Sequence, residues 1–118
     1  MAEKPRLERQ AMCDRLAMEF QDEWIVNLGV GMPTLCSNYI DSSKDIIFHS
    51  ENGVIGYGAL APKGQEDKHL VNAGGQNVTA ILGMAIVHHA DSFALIRGGK
   101  VDVTVMGAYE VAENGDFA

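Results

Sequence analysis

The sequence predicts an α/β protein in which helices flank an open, mainly parallel β-sheet. Two patterns indicate this fold class. Predicted helices alternate with short apolar segments that have the length and composition of buried strands. Glycine is also frequent, with 13 residues among 118, and most of it is clustered. The chain length fits one domain, which we expect to comprise residues 1–118.

The first half of the chain is predicted to hold two helices and two strands. Residues 5–23 form an amphipathic helical pattern, because apolar side chains recur at spacings of four or five. Residues 24–28 are a short apolar strand, and Pro33 then takes the first position of a helix that reaches about residue 39. Residues 45–49 follow a polar turn and are predicted to be the second strand.

The second half is predicted to be richer in loops. Residues 53–67 are predicted to be a glycine-rich loop, and residues 69–72 a short third strand that ends at two glycines. Asp91 or Ser92 would cap a short helix that ends at Gly98, and residues 101–106 have the β-branched composition of a final strand. The chain stops soon after that strand. We therefore expect it to be a fragment, or half of something larger.

Composition excludes several classes of partner. The formal net charge is −7, which disfavours a nucleic-acid surface. No apolar run reaches the roughly 18 residues that a membrane-spanning helix needs, and the N-terminus lacks the apolar region of a signal peptide. Cys13 and Cys36 form no CxxC pair and are typical of reduced thiols in a cytosol, although two cysteines could also pair with each other. We expect a cytoplasmic protein that binds neither membrane nor nucleic acid.

The first candidate site is the glycine loop that follows the first predicted strand. Asn27, Gly29, Val30 and Gly31 lie where a strand runs into a helix start, so backbone N–H groups and the helix dipole would face an anion. The dinucleotide fingerprint GxGxxG fails, because Thr34 occupies the third glycine position. On pattern alone, a tight strand-to-helix turn and a ligand loop are equally good interpretations.

The second candidate is Glu51, between the second strand and a run of glycines. A carboxylate there could act as acid or base, ligate a metal or attack as a nucleophile. A metal site is poorly supported, since His88 and His89 are adjacent and would not face one ligand from a regular element. Nucleophilic attack needs N–H donors, which Asn52, Gly53 and the first glycine loop could supply.

The third candidate is a pair of glycines after the third predicted strand. Asn72 is followed by alanine and then by Gly74 and Gly75. On pattern alone, a plain turn is the favoured interpretation of this segment.

Together these segments resemble a known family. Residues 48–56, FHSENGVIG, resemble the signature around the active-site glutamate in the β subunits of class I (3-oxoacid type) CoA-transferases. The resemblance runs from about residue 7 to the end, and its other segments are residues 27–34, 71–75, 91–99 and 101–108. Many members have lysine where this chain has Gly75, and the Gly-Gly form is closer to bacterial butyrate/acetoacetate CoA-transferases.

The resemblance implies a CoA-transferase/NagB-like fold and a ping-pong reaction. Glu51 would be the nucleophile that carries CoA as a glutamyl-CoA thioester from a short-chain acyl-CoA to a carboxylic acid. The resemblance implies no metal and no permanently bound cofactor, with CoA and acyl-CoA as substrates. The residues implied in substrate binding or in the oxyanion site are Asn27, Gly29, Val30, Gly31, Asn52, Gly53, Asn72, Gly74 and Gly75.

The resemblance also implies a partner. Members of the family pair a β subunit with an α subunit of related fold, so we expect an α2β2-type hetero-oligomer. The family's β subunit continues past residue 118, so the resemblance implies that residues 1–118 are the N-terminal portion of a single, truncated β-subunit domain. A truncated, non-catalytic chain that pairs with a partner subunit is therefore the alternative to an active enzyme subunit.

Overall fold

The structure, a computed structural model, describes residues 3–118. Residues 1 and 2, which the predicted domain includes, lie outside the described residues. The elements follow in the order α1 (Arg9–Ala17), β1 (Ile25–Leu28), a 3₁₀ helix (Met32–Asn38), β2 (Ile47–His49), β3 (Val54–Tyr57), β4 (Ala85–Ile86), α2 (His89–Arg97) and β5 (Val103–Val105). No helix among residues 3–118 is long and apolar enough to cross a membrane.

The five strands form one open sheet in the order β4-β3-β2-β1-β5. Strand β1 pairs in parallel with both β2 and β5, whereas β3 is antiparallel to β2 and to β4. Four strands therefore run in one direction and β3 alone runs against them. The predicted α/β fold with an open, mainly parallel sheet is confirmed. Because β1 and β2 are parallel neighbours, the segments that follow them leave the sheet at the same edge.

The core lies around the central strands. Val26 and Leu28 of β1 are buried, as are Phe48 of β2 and Tyr57 of β3. The rings of Phe48 and Tyr57 have centroids 5.7 Å apart, and Phe20, after α1, packs edge-on against Phe48 at 6.4 Å. This aromatic cluster packs β2 against β3 and joins the segment after α1 to the sheet.

Helix α1 is shorter than predicted. It covers Arg9–Ala17 rather than residues 5–23. After Ala17 the backbone tightens, since the N–H groups of Glu19 and Phe20 donate to carbonyls three residues earlier. Glu23 then has a φ of 64°, a left-handed conformation that no continuing helix allows. These turns bring Phe20 into the core, and burial of that ring overrides the helical pattern of the sequence.

The helix predicted after Pro33 exists, but it is a 3₁₀ helix. The hydroxyl of Thr34 lies 2.6 Å from the carbonyl oxygen of Gly31, and that of Ser37 donates to the carbonyl of Thr34 at 3.0 Å. Both side chains reach carbonyls three residues earlier, so they reinforce 3₁₀ spacing. A proline at the helix start indicates the location of the helix correctly but not its type.

Two predictions about the middle of the chain are wrong. Residues 53–67 are not simply a loop, because they begin with β3, and residues 69–72 form no strand but one isolated bridge, Val71 with Asn77. Strand β3 was missed because it contains glycine. Its partners along β2 skip Gly56, which has a φ of 74° and is the extra residue of a β-bulge.

Helix α2 begins earlier than predicted. Neither Asp91 nor Ser92 caps it; His88 does, through its Nδ1, which accepts from the N–H of Ala90 at 3.1 Å. The predicted stop at Gly98 is confirmed as the C-terminal cap. The earlier start places Ser92 inside the first turn, facing the buried side of the helix rather than solvent.

Candidate active site

Glu51 lies two residues beyond the end of β2, in the tight turn that leads into β3. Its side chain is half-buried, and its carboxylate forms neither a hydrogen bond nor an ion pair with other residues of the range 3–118. Within that range the one ion pair joins Arg15 to Glu19 on α1. A carboxylate at the carboxyl edge of a parallel sheet, with no protein partner, is placed to meet a ligand.

The turn around Glu51 is tightly hydrogen-bonded on both sides. The N–H of Ser50 donates to the carbonyl of Val54 at 2.9 Å, and the N–H of Gly53 donates to the carbonyl of Ser50 at 3.0 Å. Gly53 has a φ of 110°, and a Cβ there would lie 2.1 Å from the carbonyl oxygen of Val87. Only glycine lets the chain before β3 pass so close to the chain after β4. Gly53 therefore has a structural task in addition to any contact with substrate.

A buried polar network lies directly beneath Glu51. Asn27 of β1, His49 of β2, Ser50 and Ser92 of α2 are each exposed by 1% or less. The Nδ2 of Asn27 lies 3.0 Å from the Nδ1 of His49, and the Nε2 of His49 lies 3.1 Å from the hydroxyl of Ser92. That hydroxyl donates to the carbonyl of Ser50 at 2.9 Å. The network thus connects β1, β2 and α2 to the residue that precedes Glu51.

The loop that contains Asn72 is joined to the turn of Glu51. The N–H of Ala73 donates to the hydroxyl of Ser50 at 2.8 Å, and the Nδ2 of Asn52 donates to the carbonyl of Val71 at 2.8 Å. The Oδ1 of Asn72 accepts from the N–H groups of Gly74 and Gln76, each at 3.0 Å, which closes this loop on itself. The second and third candidate segments therefore form one continuous surface.

The first glycine loop meets the third. The hydroxyl of Thr34 lies 2.6 Å from the Oε1 of Gln76. A Cβ on Gly74 would lie 3.8 Å from the side chain of Val30, which is 64% exposed. The three segments that the sequence singled out are thus brought together, the first touching the third and the third touching the turn of Glu51.

The candidate residues differ in the donors that they still offer. Several N–H groups are already paired within the chain, those of Gly29, Gly53, Asn72, Gly74 and Gly75. The side-chain amides of Asn27, Asn52 and Asn72 also donate within the chain. Within residues 3–118, the backbone N–H groups of Val30, Gly31 and Asn52 have no such partner. Among the candidate residues these three keep a free backbone donor, and an oxyanion would need such groups.

Burial sets the pKa of two further side chains. The phenol of Tyr57 has its pKa raised, mainly by burial and further by the negative charge of Glu51. Burial, together with the neighbouring thiol of Cys13, raises the pKa of Cys36 to about 12. A thiol with so high a pKa is protonated near neutral pH and is a poor nucleophile. Cys36 is therefore a packed thiol.

The two adjacent histidines make separate structural contacts. His88 caps α2, and the ring of His89 packs edge-on against Phe93 with centroids 4.8 Å apart. In the described part of the chain, no three or more His, Cys, Asp or Glu side chains are grouped so as to hold a metal ion.

Sequence reasoning missed His49, Ser50 and Ser92. A usable signal was present, because Asn27 and His49 are polar residues within two otherwise apolar strand segments. Buried polar groups are nearly always hydrogen-bonded, so two of them in neighbouring strands predict a contact. The register confirms that Asn27 and His49 are directly paired in the sheet. Ser92 could not be found this way, because its helix was predicted to start at that point.

Known proteins share both sequence and fold with this chain. A family model described as coenzyme A transferase matches residues 9–118. The B subunit of the 3-oxoadipate CoA-transferase of Pseudomonas putida is 47% identical over 113 residues, which are 96% of this chain and 53% of that protein. The B subunit of the succinyl-CoA:3-ketoacid coenzyme A transferase of Helicobacter pylori is 44% identical over 110 residues, 93% of this chain and 53% of that protein.

A solved structure agrees on the fold. The acyl-CoA transferase (YdiF) apoenzyme from Escherichia coli O157:H7 matches with a TM-score of 0.67 and 22% identity, over 99% of this chain and 20% of that one. The chain spans about half the length of the two bacterial relatives that it matches. The match to the family model covers nearly the whole sequence and includes all three loops of the site. The chain therefore belongs to the coenzyme A transferase family.

Proposed function

We propose that this chain supplies the nucleophile of a CoA-transferase and that Glu51 is that nucleophile. The observation that carries the proposal is the state of its carboxylate. It is half-buried, free of partners within residues 3–118, and fixed by a rigid turn at the carboxyl edge of the sheet. The neighbouring loops supply the unpaired N–H groups of Val30, Gly31 and Asn52.

The proposed reaction is ping-pong. The Glu51 carboxylate attacks the thioester carbonyl of an acyl-CoA, which forms a mixed anhydride and releases the CoA thiolate. The thiolate then attacks the glutamyl carbonyl, so that the first carboxylic acid leaves and a glutamyl-CoA thioester remains. An acceptor carboxylate repeats the two steps in reverse and regenerates Glu51. A carboxylate is a weak nucleophile, and unpaired N–H donors near it would stabilise each developing oxyanion.

The substrates are proposed to be short-chain acyl-CoA thioesters, of the acetyl, butyryl, succinyl or acetoacetyl type, and a carboxylic acid acceptor. The names of the two bacterial relatives include 3-oxoadipate, succinyl-CoA and 3-ketoacid. These names favour a 3-oxo acid as one of the two carboxylic acids between which CoA is exchanged. An assay of CoA exchange among succinate, acetate, butyrate, acetoacetate and 3-oxoadipate identifies the preferred pair, and exchange confined to acids without a 3-oxo group contradicts this choice.

The chain is further proposed to act in a cytoplasmic hetero-oligomer with an α-type subunit. Both bacterial relatives are named as B subunits, which implies a second kind of subunit in each of those enzymes. Several large apolar side chains are exposed here and could be covered by a partner, namely Val30, Ile81, Leu82, Ile86 and Met106. Both cysteines are free thiols, which agrees with a reducing compartment. Sedimentation of this chain alone as a stable monomer that does not bind ANS would count against a partner.

Substitution of Glu51 tests the catalytic assignment. In the assembled enzyme, reconstituted with its α-type partner, Glu51→Ala is expected to abolish transfer. Glu51→Asp is expected to lower the transfer rate roughly a hundredfold. The shorter side chain withdraws the carboxylate by more than ~1 Å, and a misplacement of that size can cost this factor. Glu113→Ala, which removes an exposed carboxylate elsewhere, is the matched control.

Mass spectrometry gives the second readout. After acyl-CoA is added without acceptor, borohydride reduction is expected to label the peptide that spans residues 46–63 at Glu51. If Glu51→Ala keeps the rate of the unsubstituted enzyme and Glu51 is never labelled, the assignment is wrong. The chain would then be a non-catalytic partner of another subunit.

A further inference from the structure

The buried network beneath Glu51 has one consistent direction of hydrogen bonding. The Nδ2 of Asn27 donates both to the Nδ1 of His49, at 3.0 Å, and to the carbonyl of His49, at 3.4 Å, so this amide nitrogen faces the imidazole. Nδ1 of His49 is therefore an acceptor, and the ring proton is on Nε2. That N–H faces Ser92, whose hydroxyl and carbonyl oxygens both lie 3.1 Å away.

The network ends on the residue before the nucleophile. Because His49 donates toward Ser92, the hydroxyl proton of Ser92 is free to be donated to the carbonyl of Ser50. That carbonyl also accepts from the N–H of Gly53. The N–H of Ser50 donates to the carbonyl of Val54, and the hydroxyl of Ser50 accepts from the N–H of Ala73. Every polar atom of Ser50 is thus held, whereas the carboxylate of Glu51 has no partner within residues 3–118. The direction in which Glu51 leaves the sheet is set by Ser50.

Packing alone does not require this network. Ile25 and Ile47, directly paired two residues earlier in the same two strands, fill the neighbouring position on the same face of the sheet with apolar side chains. Polar groups buried at the next position bring a desolvation cost that apolar residues would not. A fully satisfied network does, however, fix one geometry, and a misplacement of about 1 Å at a reacting group can cost roughly a hundredfold in rate.

We propose that His49 and Ser92 are positioning residues of the transfer reaction, which act by holding the carbonyl of Ser50 and thereby the direction of Glu51. The inference rests on the proposed function of Glu51. Neither side chain touches substrate, because both are completely buried. Their effect is expected on the rate of the chemical step rather than on substrate binding.

Ser92→Ala is the first test. It removes the donor to Ser50 and is expected to slow formation of the glutamyl-CoA thioester about tenfold to a hundredfold, with KM changed less than about threefold. The rate is measured in the assembled enzyme by rapid quenching and mass spectrometry. Ser42→Ala, the same change at an exposed turn, is the matched control and is expected to leave the rate unchanged.

Two substitutions of His49 separate its two nitrogens. Glutamine can place an amide N–H where Nε2 lies and so keep the donor toward Ser92, whereas asparagine can place its Oδ1 where Nδ1 lies and keep only the acceptor for Asn27. If His49 acts through Ser92, His49→Gln keeps more of the rate than His49→Asn. A purely structural role predicts lowered melting temperatures with normal kcat per folded molecule in both variants.

The outcomes are distinct from those for Glu51. If Glu51→Ala is inactive while Ser92→Ala and His49→Asn react at the rate of the unsubstituted enzyme, the positioning role is wrong and the proposed function stands. If Glu51→Ala is active, the proposed function itself fails and the positioning role fails with it. Should the variants not fold, ¹⁵N NMR of the unsubstituted chain decides. The Nε2–H tautomer of His49 is expected, and the Nδ1–H tautomer would overturn the inference.

Discussion

The centre of the sheet and its two outer strands have similar apolar sequences but different surroundings. In β1, β2 and β3, the side chains of Val26, Phe48 and Tyr57 are buried. In the outer strand β4, Ile86 is 70% exposed, and Met106, directly after β5, is 58% exposed. The comparison teaches that β-branched and apolar composition indicates where a strand forms but not whether the strand is covered.

The two regions also differ in their polar groups. The centre contains the buried side chains of Asn27 and His49, and each is hydrogen-bonded to a neighbouring element. In the outer strands β4 and β5, no buried polar side chain is present among the described residues. Within residues 3–118 the centre is thus packed and, apart from the hydroxyl of Tyr57, hydrogen-bonded, while the outer strands leave apolar surface exposed.

The largest effect on this arrangement is expected from Gly53→Ala. The substitution puts a Cβ 2.1 Å from the carbonyl oxygen of Val87 at a φ of 110°. The free energy of unfolding is expected to fall by about 4 kcal/mol, since backbone strain and overpacking each contribute about 1–3 kcal/mol. Urea denaturation followed by circular dichroism measures it.

Gly64→Ala is the matched control for that substitution. Gly64 also has a positive φ, of 88°, but a Cβ there would meet no atom within 4 Å. Only the conformational part of the loss, about 1 kcal/mol, is expected for it. Equal losses in the two variants would show that the chain before β3 does not pass close to the chain after β4.

A pair of leucines compares the covered and uncovered regions directly. Leu28 in β1 is 1% exposed, whereas Leu82, before β4, is fully exposed. Leu28→Ala is expected to lower the free energy of unfolding by about 3 kcal/mol, and Leu82→Ala by less than about 0.5 kcal/mol. Chemical denaturation of the isolated chain measures both. A comparable loss in Leu82→Ala would mean that this segment is covered in solution, for instance by a second copy.

The sequence predicts the central strands well because their signals are local. Strands β1, β2 and β5 each lie within a predicted segment, since each is a short apolar run bounded by polar or glycine residues. Strand β3 was missed because Gly56 interrupts such a run, and its bulge conformation depends on pairing with β2. Strand β4 has only two residues and exists through its pairing with β3, which no local pattern reveals.

The candidate site shows the same limit. The three segments that contain Glu51, Gly29 and Gly74 were predicted from glycine patterns and from the family resemblance, and the structure brings them together. Which of their N–H groups remain unpaired could not be predicted, because the partners are distant in sequence. Gly29, for example, donates to Val105, at the far end of the described chain. Ser92 likewise joins the buried network only because α2 packs against His49 and Ser50, which are distant from it in sequence.

The smallest effect is expected from Tyr57→Phe, at the boundary between the core and the site. The phenol of Tyr57 is buried, and its hydroxyl has no hydrogen-bond partner among residues 3–118. Removing an unpaired buried hydroxyl relieves its desolvation, so the free energy of unfolding at pH 7 is expected to be unchanged or to rise by up to about 1 kcal/mol. Tyr109→Phe, at a fully exposed tyrosine, is the matched control and is expected to have no effect.

The pH dependence of stability isolates the same hydroxyl. Its pKa in the folded chain is raised above the ordinary value of 10.0 by burial and by the charge of Glu51. Above about pH 10, the unfolded chain loses this proton while the folded chain retains it, so stability present below pH 10 declines as the pH rises. Tyr57→Phe is expected to make this decline shallower, and Tyr109→Phe to leave it as it is.

Because Glu51 contributes to the raised pKa of Tyr57, Glu51→Gln should also reduce the decline, by a smaller amount. If Tyr57→Phe instead destabilises the chain at pH 7 and leaves the alkaline decline intact, the hydroxyl has a partner in solution and the centre of the sheet is packed differently beneath Glu51.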